Sequence, residues 1–171
     1  MNDHFKLYRE VRAVVEMVGS RKAKAERIAE LIRSRCQYRW VGLYDVGETE
    51  ISVLGWSGST APIYPSFPRD KGINGVAAST GSTTVVNDVS TDPRYLASFV
   101  DTKAELIVPV IHPETGEVVG TIDVESVEKD VFTDSDRKCI EECARLVAPL
   151  WAALDRADRR TTESQVRPEG L

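Results

Sequence analysis

The stretch AELIVPVIHPETGEVVGTIDVES, residues 104 to 126, constrains what this chain can fold into more than any other. It contains two apolar runs, Glu105 to Ile111 and Val118 to Val124, separated by a turn sequence that includes Pro113, Thr115 and Gly116. Runs this rich in β-branched residues are typical of strands that are covered on both faces. The stretch therefore predicts a buried antiparallel hairpin.

Three carboxylates interrupt this apolar hairpin. Glu105 stands near the start of the first arm, and Asp123 and Glu125 stand at the end of the second. Antiparallel pairing around a turn brings the start of one arm beside the end of the other, so we expect all three acids at one end of the hairpin. Asp123 and Glu125 are two residues apart and share a strand face. Clustered acids repel one another, so such a strand end either lies in water at the sheet rim or offers its acids a cation, a metal or a donor-rich partner.

The charge distribution bears on the choice of partner. The net charge is −5, but residues 1–39 carry ten Lys and Arg against five Asp and Glu, so the remainder is strongly acidic. The basic residues alternate with apolar ones at helical spacing and no aromatic stacking platform accompanies them. We therefore expect a solvated helix face there and no nucleic-acid partner.

Length and composition predict one domain in the cytoplasm. A chain of 171 residues fits a single core with a helical extension. No apolar run approaches the ~18 residues of a membrane span, and the N-terminus lacks the unbroken apolar segment of a signal peptide. Three cysteines, an odd number, do not make a disulfide framework and fit a reducing compartment. We expect no membrane partner.

Periodicity and turn signals predict the order of the elements. Helices are expected over Phe5 to Val18, from a cap at Ser20 to about Arg35, over Gly72 to Ser79, and from a capping box at Thr133 and Asp136 to an interruption at Pro149. Strands are expected over Trp40 to Val46, Ile51 to Trp56 and Thr83 to Val89, besides the hairpin; Gly58 to Pro68 is expected to be irregular or edge-like, and Ser90 to Phe99 to be a turn followed by one helical turn entered at Pro93.

This order predicts an α+β fold, with one mixed or antiparallel sheet and helices packed on one face. We assign residues 1–19 to an N-terminal helix, 20–160 to the main domain with its long last helix, and 161–171 to a disordered tail. The apolar stripes of the first and last helices exceed what one small sheet must cover, so we expect a homodimer through these terminal helices. The alternative, that both stripes pack on the subunit's own sheet, stays open.

Several phrases of the sequence carry a resemblance to a known family. KGINGVAAST, VVNDVSTDPRY, AELIVPV, GEVVGTIDVES and FTDSDRKCIEECA occur in the order and spacing of a GAF domain, and the match runs from about Ser20 to Ala153. The resemblance implies a profilin/PAS-like fold, with a central antiparallel sheet, helices on one side and a small ligand pocket on the other. Within this superfamily the chain is most similar to free methionine-(R)-sulfoxide reductases.

The resemblance also implies which residues line the pocket. In those enzymes a WxGxY strand, a Glu before the first hairpin arm and a DxD on the second arm do so. The matching residues here are Trp40, Tyr44, Glu105, Asp123 and Glu125, with the second acid longer by one methylene. An aromatic wall opposite carboxylates suits a small ammonium-bearing ligand. To these we add Trp56 as further aromatic surface, and Ile73 and Asn74 in the short helix whose backbone N–H groups favour an anionic end.

The catalytic cysteines of that family are absent from the matching positions of this sequence. The family's cysteines correspond to Tyr64, Asn74 and Ser98, none of which is a cysteine. The cysteines present lie elsewhere, with Cys36 at a helix end and Cys139 and Cys143 one turn apart on the last helix. Sulfoxide reduction needs a thiolate nucleophile and a resolving thiol, so we expect a protein without catalytic residues.

Three hypotheses for function follow. The first is a stand-alone GAF sensor or binding module that holds a small amino-acid-like metabolite without catalysis, and without cofactor or metal. The second is a sulfoxide reductase-type enzyme with displaced thiols at Cys36, Cys139 or Cys143. The third is a purely structural interaction module. Cyclic-nucleotide binding, which occurs in this superfamily, also stays open, while a bilin chromophore would need a cysteine near the Asp92-Pro93 turn, where there is none.

Overall fold

A single antiparallel sheet carries the acids and the aromatic residues singled out above. The computed structural model describes residues 3–152, and within them six strands are hydrogen-bonded in the order β3-β2-β1-β6-β5-β4. The strands are β1 (Trp40–Val46), β2 (Glu50–Ser57), β3 (Ser66–Pro68), β4 (Thr84–Val86), β5 (Ala104–Ile111) and β6 (Val118–Ser126); the helices are α1 (Asp3–Glu16), α2 (Arg21–Cys36), α3 (Gly72–Thr80) and α4 (Asp134–Val147).

The predicted hairpin forms the β5–β6 pair and lies inside the sheet. Seven of the eight residues of β5 are buried, as its apolar run predicts. Glu105 lies directly opposite Glu125, and Ile107 lies opposite Asp123. On its other side β6 pairs with β1, which sets Trp40 opposite Glu125 and Gly42 opposite Asp123. The acids and the aromatic strand are therefore neighbours in one sheet.

The two faces of the sheet have different contents. One face packs under α1, α2 and α4 and forms the main apolar core. The residues that the central strands contribute to it are Val41, Leu43, Ala104, Leu106, Val108, Val110, Ile122 and Val124. Because side chains alternate along a strand, the residues between them point to the opposite face. That face carries α3, the aromatic side chains of β1 and the three carboxylates.

Helix caps fall where the sequence indicates. Ser20 is the N-cap of α2, and its hydroxyl accepts a hydrogen bond from the Ala23 N–H at 3.2 Å. Thr133 and Asp136 form a reciprocal capping box at the start of α4. Helix α4 ends at Val147 and residues 149–152 are helical again, so the helical segment is interrupted next to Pro149. Each of these features was predicted from local sequence alone.

Three boundaries differ from the prediction. Helix α1 ends at Glu16, so Val18 lies beyond the helix and is fully exposed. Strand β4 covers only Thr84–Val86, because the Asn87 side chain turns away and exchanges two hydrogen bonds of 3.0 Å with the backbone of Phe132. The helical turn predicted after Pro93 instead precedes it, as a 3₁₀ turn at Val89–Thr91.

The stripes of the terminal helices are occupied within the subunit. Leu7 and Val11 of α1 and Ile140 and Val147 of α4 are buried in the chain's own core. This packing is the alternative that the sequence left open, and the homodimer remains a prediction. The predicted tail at 161–171 and the last part of the 20–160 domain lie outside the described residues. None of the helices in residues 3–152 combines the length and apolarity needed to cross a bilayer.

Candidate functional site

The three predicted carboxylates meet at one point of the sheet. Glu105, Asp123 and Glu125 each offer an oxygen, and these oxygens lie within 4.8 Å of one another. All three residues are buried, with at most 3% of their surface exposed. The alternative of a solvated rim is therefore wrong. Such a group of oxygens has the size to surround one cation, whether an ammonium group or an oxygen-preferring metal ion.

Two of the acids are each held by one hydrogen-bond donor. Asn74 Nδ2 donates to Asp123 Oδ2 across 2.9 Å, and the Thr102 hydroxyl donates to Glu125 Oε2. The second oxygen of each is left over: Asp123 Oδ1 and Glu125 Oε1 are buried without a partner, as is Glu105 Oε2. Within residues 3–152, then, each acid presents one buried oxygen that no protein group satisfies.

Burial makes it costly for these groups to carry charge. Burial raises the pKa of Asp123 to about 7, although the Asn74 hydrogen bond opposes the shift. Burial and the nearby Asp123 raise the pKa of Glu125 to about 9, against the opposing effects of Thr102 and Arg39. The pKa of Glu105 is also raised well above its ordinary value, by burial and then by its two acidic neighbours. A cation placed among the three would reverse these shifts.

An aromatic wall stands beside the acids, as predicted. Trp40 and Tyr44 are each 1% exposed, and their ring centroids are 6.3 Å apart. The Trp56 ring stacks on the Trp40 ring with their centroids 6.4 Å apart. Trp56 is partly exposed, so it supports Trp40 from the solvent side. Phe99, which the sequence did not indicate, packs on Trp40 at 5.1 Å.

Two loops close the site. The Trp40 indole N–H donates to the Thr60 carbonyl at 3.2 Å, and the Ile63 N–H donates to the Ser98 carbonyl at 3.3 Å, so the two loops are joined. Asp101, in the second loop, accepts two hydrogen bonds from Arg39 at 2.6 and 2.8 Å. The two loops are therefore tied to each other, to Trp40 and to Arg39.

The positions that match the family's cysteines are spread around the site. Asn74 lies in the first turn of α3 and touches Asp123 directly. Ser98 is buried in the closing loop, whereas Tyr64 is 42% exposed on the other loop. Ile73, predicted to line the pocket, is buried in an apolar cluster with Val86 and Ile107.

The thiols lie on the other side of the sheet. Cys139 and Cys143 are buried in the core beneath the helices, and Cys36 packs against that core. The Cys139 thiol lies beside those of Cys36 and Cys143 and beside the Tyr8 hydroxyl. The sheet itself separates this cluster from the carboxylates.

Sequence reasoning missed the residues that support the acids. Thr121 stands two residues before Asp123, so the period-two pattern of the strand could have placed it on the same face. Thr102 and Phe99 come from an irregular loop, for which the sequence carries no comparable pattern.

A groove lies elsewhere on the surface. Its volume is about 760 Å³, and it runs between α4 and the end of β5, past Pro109, Arg137 and Ala144. It is lined by none of the eight residues predicted to bind a ligand. The buried carboxylate site, rather than this groove, brings the predicted acids together.

Comparison with known proteins agrees with this architecture. The sequence profile of the GAF domain matches residues 24–152. Free methionine-R-sulfoxide reductase of Saccharomyces cerevisiae is 33% identical over 111 residues, which make up 63% of this chain and 60% of the yeast protein. The match therefore spans less than two thirds of that relative's length.

Solved structures give the same fold. The free methionine-R-sulfoxide reductase of Neisseria meningitidis, determined in complex with its substrate, superposes with a TM-score of 0.80 at 24% identity, over 90% of this chain and 91% of that one. The type II enzyme of Thermoplasma acidophilum gives a TM-score of 0.70 at 25% identity, over 84% of this chain and 94% of that one.

Proposed function

The chain belongs to the GAF domain family, and we propose that it is a binding member that holds the primary ammonium group of a small amino-acid-like metabolite among its buried carboxylates, without catalysis. The observation that carries this proposal is the set of unsatisfied oxygens, one on each of Glu105, Asp123 and Glu125. A primary ammonium has three N–H donors and no acceptor. Its charge and its donor count both match the set.

The neighbouring helix favours a ligand with an anionic group as well. Helix α3 has no side-chain cap at its N-terminus, and its first turn contains Asn74, which touches Asp123. Unsatisfied N–H groups at a helix N-terminus attract negative charge. An α-amino acid carries its ammonium and carboxylate on one carbon, which suits two subsites this close together.

The aromatic side chains supply the remaining contact. Trp40, Tyr44 and Phe99 pack together beside the strand that carries the acids, and rings beside a cation add favourable cation–π interactions. An apolar or thioether side chain of the ligand would pack on the same rings. The names of the relatives make methionine and its sulfoxide natural first ligands to test.

The chemistry of the site supports a role without catalysis. Asn74 and Ser98 stand at two of the family's cysteine positions, and an amide and a hydroxyl cannot supply the two electrons that reduce a sulfoxide. The thiols that do exist lie across the sheet from the acids.

The test is a thermal-shift series with methylammonium and tetramethylammonium chloride, followed by free amino acids, methionine sulfoxide and cyclic nucleotides. The two simple cations have equal charge, but only methylammonium has three N–H donors. A ligand at ~100 times its dissociation constant adds roughly 2.7 kcal/mol, which is several degrees of melting temperature. We expect methylammonium to stabilise the protein and Asp123→Asn to abolish the effect.

Other outcomes would contradict the proposal. Equal stabilisation by tetramethylammonium would mean that the site recognises charge through its rings and not N–H donors through its oxygens. A flat response to every compound would favour the interaction-module hypothesis. Sulfoxide reduction by the purified protein would instead restore the hypothesis of displaced thiols.

A further inference from the structure

Asp123 is held by a chain of two hydrogen bonds that begins two residues earlier on the same strand. The Thr121 hydroxyl donates to Asn74 Oδ1 across 2.5 Å, and Asn74 Nδ2 donates to Asp123 Oδ2 across 2.9 Å. All three side chains are at least 95% buried. Because an ionised carboxylate only accepts hydrogen bonds, the amide must turn its nitrogen toward Asp123, and the Thr121 hydroxyl stabilises that orientation.

We propose that Thr121 and Asn74 are positioning residues for the ligand: together they hold one oxygen of Asp123, so that its other oxygen, Oδ1, stays directed at the shared cation position. The inference rests on the proposed function, which it deepens by assigning the residues that prepare the acid. Neither residue needs to touch the ligand, since both act through Asp123.

The backbone fixes the place of Asn74 in this chain. Helix α3 enters through Gly72, which has a φ of +71°, a conformation that other residues rarely adopt. A Cβ added at Gly75 would lie 2.8 Å from the carbonyl oxygen of Arg69, so the helix and the preceding turn are in close contact. These glycines therefore fix how the chain enters the first turn of α3, which carries Asn74.

Glu125, the other acid that accepts a hydrogen bond, is supported in a different way. Glu125 receives its hydrogen bond from Thr102, which lies between the closing loop and β5. Thr121 and Asn74 belong to a strand and a helix, and sites built on such elements hold their geometry better than sites built on loops. Asp123 is therefore held through a helix and a strand, whereas Glu125 depends on a residue outside the regular elements.

The experiment uses three substitutions and methylammonium as the probe. Thr121→Val keeps the branched shape and removes the hydroxyl, whereas Thr121→Ser keeps the hydroxyl and removes a methyl group. We expect methylammonium binding, measured from the melting temperature against probe concentration, to weaken roughly tenfold in Thr121→Val, because the amide loses the bond that orients it. Binding should stay within about twofold of wild type in Thr121→Ser. A residue that only packs would give the opposite order.

Asn74→Leu completes the series, and Thr84→Val on β4 is the matched control. Since Thr121 acts through Asn74, Thr121→Val should weaken binding no further once Asn74→Leu is present. The control should bind as wild type does. Wild-type affinity in both Thr121→Val and Asn74→Leu would overturn this inference and leave the proposed function standing. A wild-type protein that ignores methylammonium would overturn both.

Discussion

Gly42 of β1 lies directly opposite Asp123 of β6, so the residue that faces the central carboxylate has no side chain. A Cβ built at Gly42 would lie 2.4 Å from Trp40 Cη2 and 2.9 Å from Tyr44 Cε2. The two rings therefore fold over the space that a larger residue would occupy. The glycine of the RWVGLY strand is needed for the aromatic wall to stand this close to the acids.

Gly42→Ala should destabilise the protein. Replacing a strand glycine usually stabilises slightly, because the unfolded chain loses conformational freedom. Here the added methyl group must displace two buried rings, and such overpacking costs about 1–3 kcal/mol. Urea unfolding followed by tryptophan fluorescence measures the change. Ser59→Ala, in the exposed loop nearby, serves as the control and should change little; a Gly42→Ala protein as stable as wild type would contradict the packing described.

Stability should fall as the pH rises from 5 to 9. The pKa of Asp123 is raised to about 7 and that of Glu125 to about 9 in the folded protein. Between the ordinary carboxyl pKa and these raised values, the folded state binds more protons than the unfolded state, so each unit of pH costs stability. The contribution is fully present below the unfolded pKa and is lost as the pH passes the folded pKa.

Replacing each acid by its amide separates the contributions of Asp123 and Glu125 to this pH dependence. Asp123→Asn should flatten the decline of melting temperature below about pH 7, and Glu125→Gln should flatten it up to about pH 9, since neither amide titrates. Glu48→Gln, an exposed turn residue, is the control. A melting temperature that rises steadily over the same range in wild type would show that these acids are ionised and compensated in the folded protein.

The sequence predicted the frame of the site well. The apolar runs and their period placed the acids at one end of the hairpin, and RWVGLY placed Trp40 and Tyr44 on one strand face. Strand pairing then determined that the third acid joins the other two, because Glu105 and Glu125 occupy opposite positions on β5 and β6. Alternation and pairing are local rules, so a single sequence is enough to apply them.

The loop residues that hydrogen-bond to the acids or pack on the aromatic rings could not be predicted in the same way. Phe99 and Thr102 reach the site from an irregular loop, whose path depends on contacts with Arg39 and with the loop containing Ile63. The length of β4 was overestimated for a related reason, because Asn87 finds hydrogen-bond partners at Phe132 that only the folded chain brings near. Such distant contacts leave no periodic signal.

Arg39 should hold in place the loop that contains Phe99 and Asp101. Its guanidinium binds both oxygens of Asp101 and lies 5.6 Å from the Phe99 ring centroid. Arg39→Ala should speed amide hydrogen exchange across residues 97–101, measured by mass spectrometry. Global stability should change by less than about 1 kcal/mol, because Asp101 is largely exposed.

The Arg27–Glu30 pair offers a matched control for the Arg39–Asp101 pair. It is another Arg–carboxylate pair with a 2.6 Å contact, but it lies on the surface of α2, beside Trp56 and Ser57 rather than beside residues 97–101. Arg27→Ala should leave exchange in residues 97–101 unchanged. Identical exchange in both variants would mean that Phe99 stays in place without Arg39.

Removal of all three thiols should leave ligand binding intact. Cys139 and Cys143 are buried under the helices, and Cys36 packs against them on the face of the sheet opposite the acids. A protein with Cys36→Ser, Cys139→Ala and Cys143→Ala should keep the wild-type response to methylammonium. It should lose roughly 1 kcal/mol for each buried thiol removed, because apolar contacts disappear from the core.

The outcome separates packing from chemistry. If the thiols only fill space, urea unfolding of the triple variant will show lower stability while the ligand-dependent rise in melting temperature persists. If the wild-type protein reduces methionine sulfoxide and the triple variant does not, the thiols act in catalysis despite their position. That result would require the helices over the sheet to open during turnover, and fast hydrogen exchange in α4 would accompany it. Slow exchange in α4 together with an unchanged ligand response would assign the cysteines to the core.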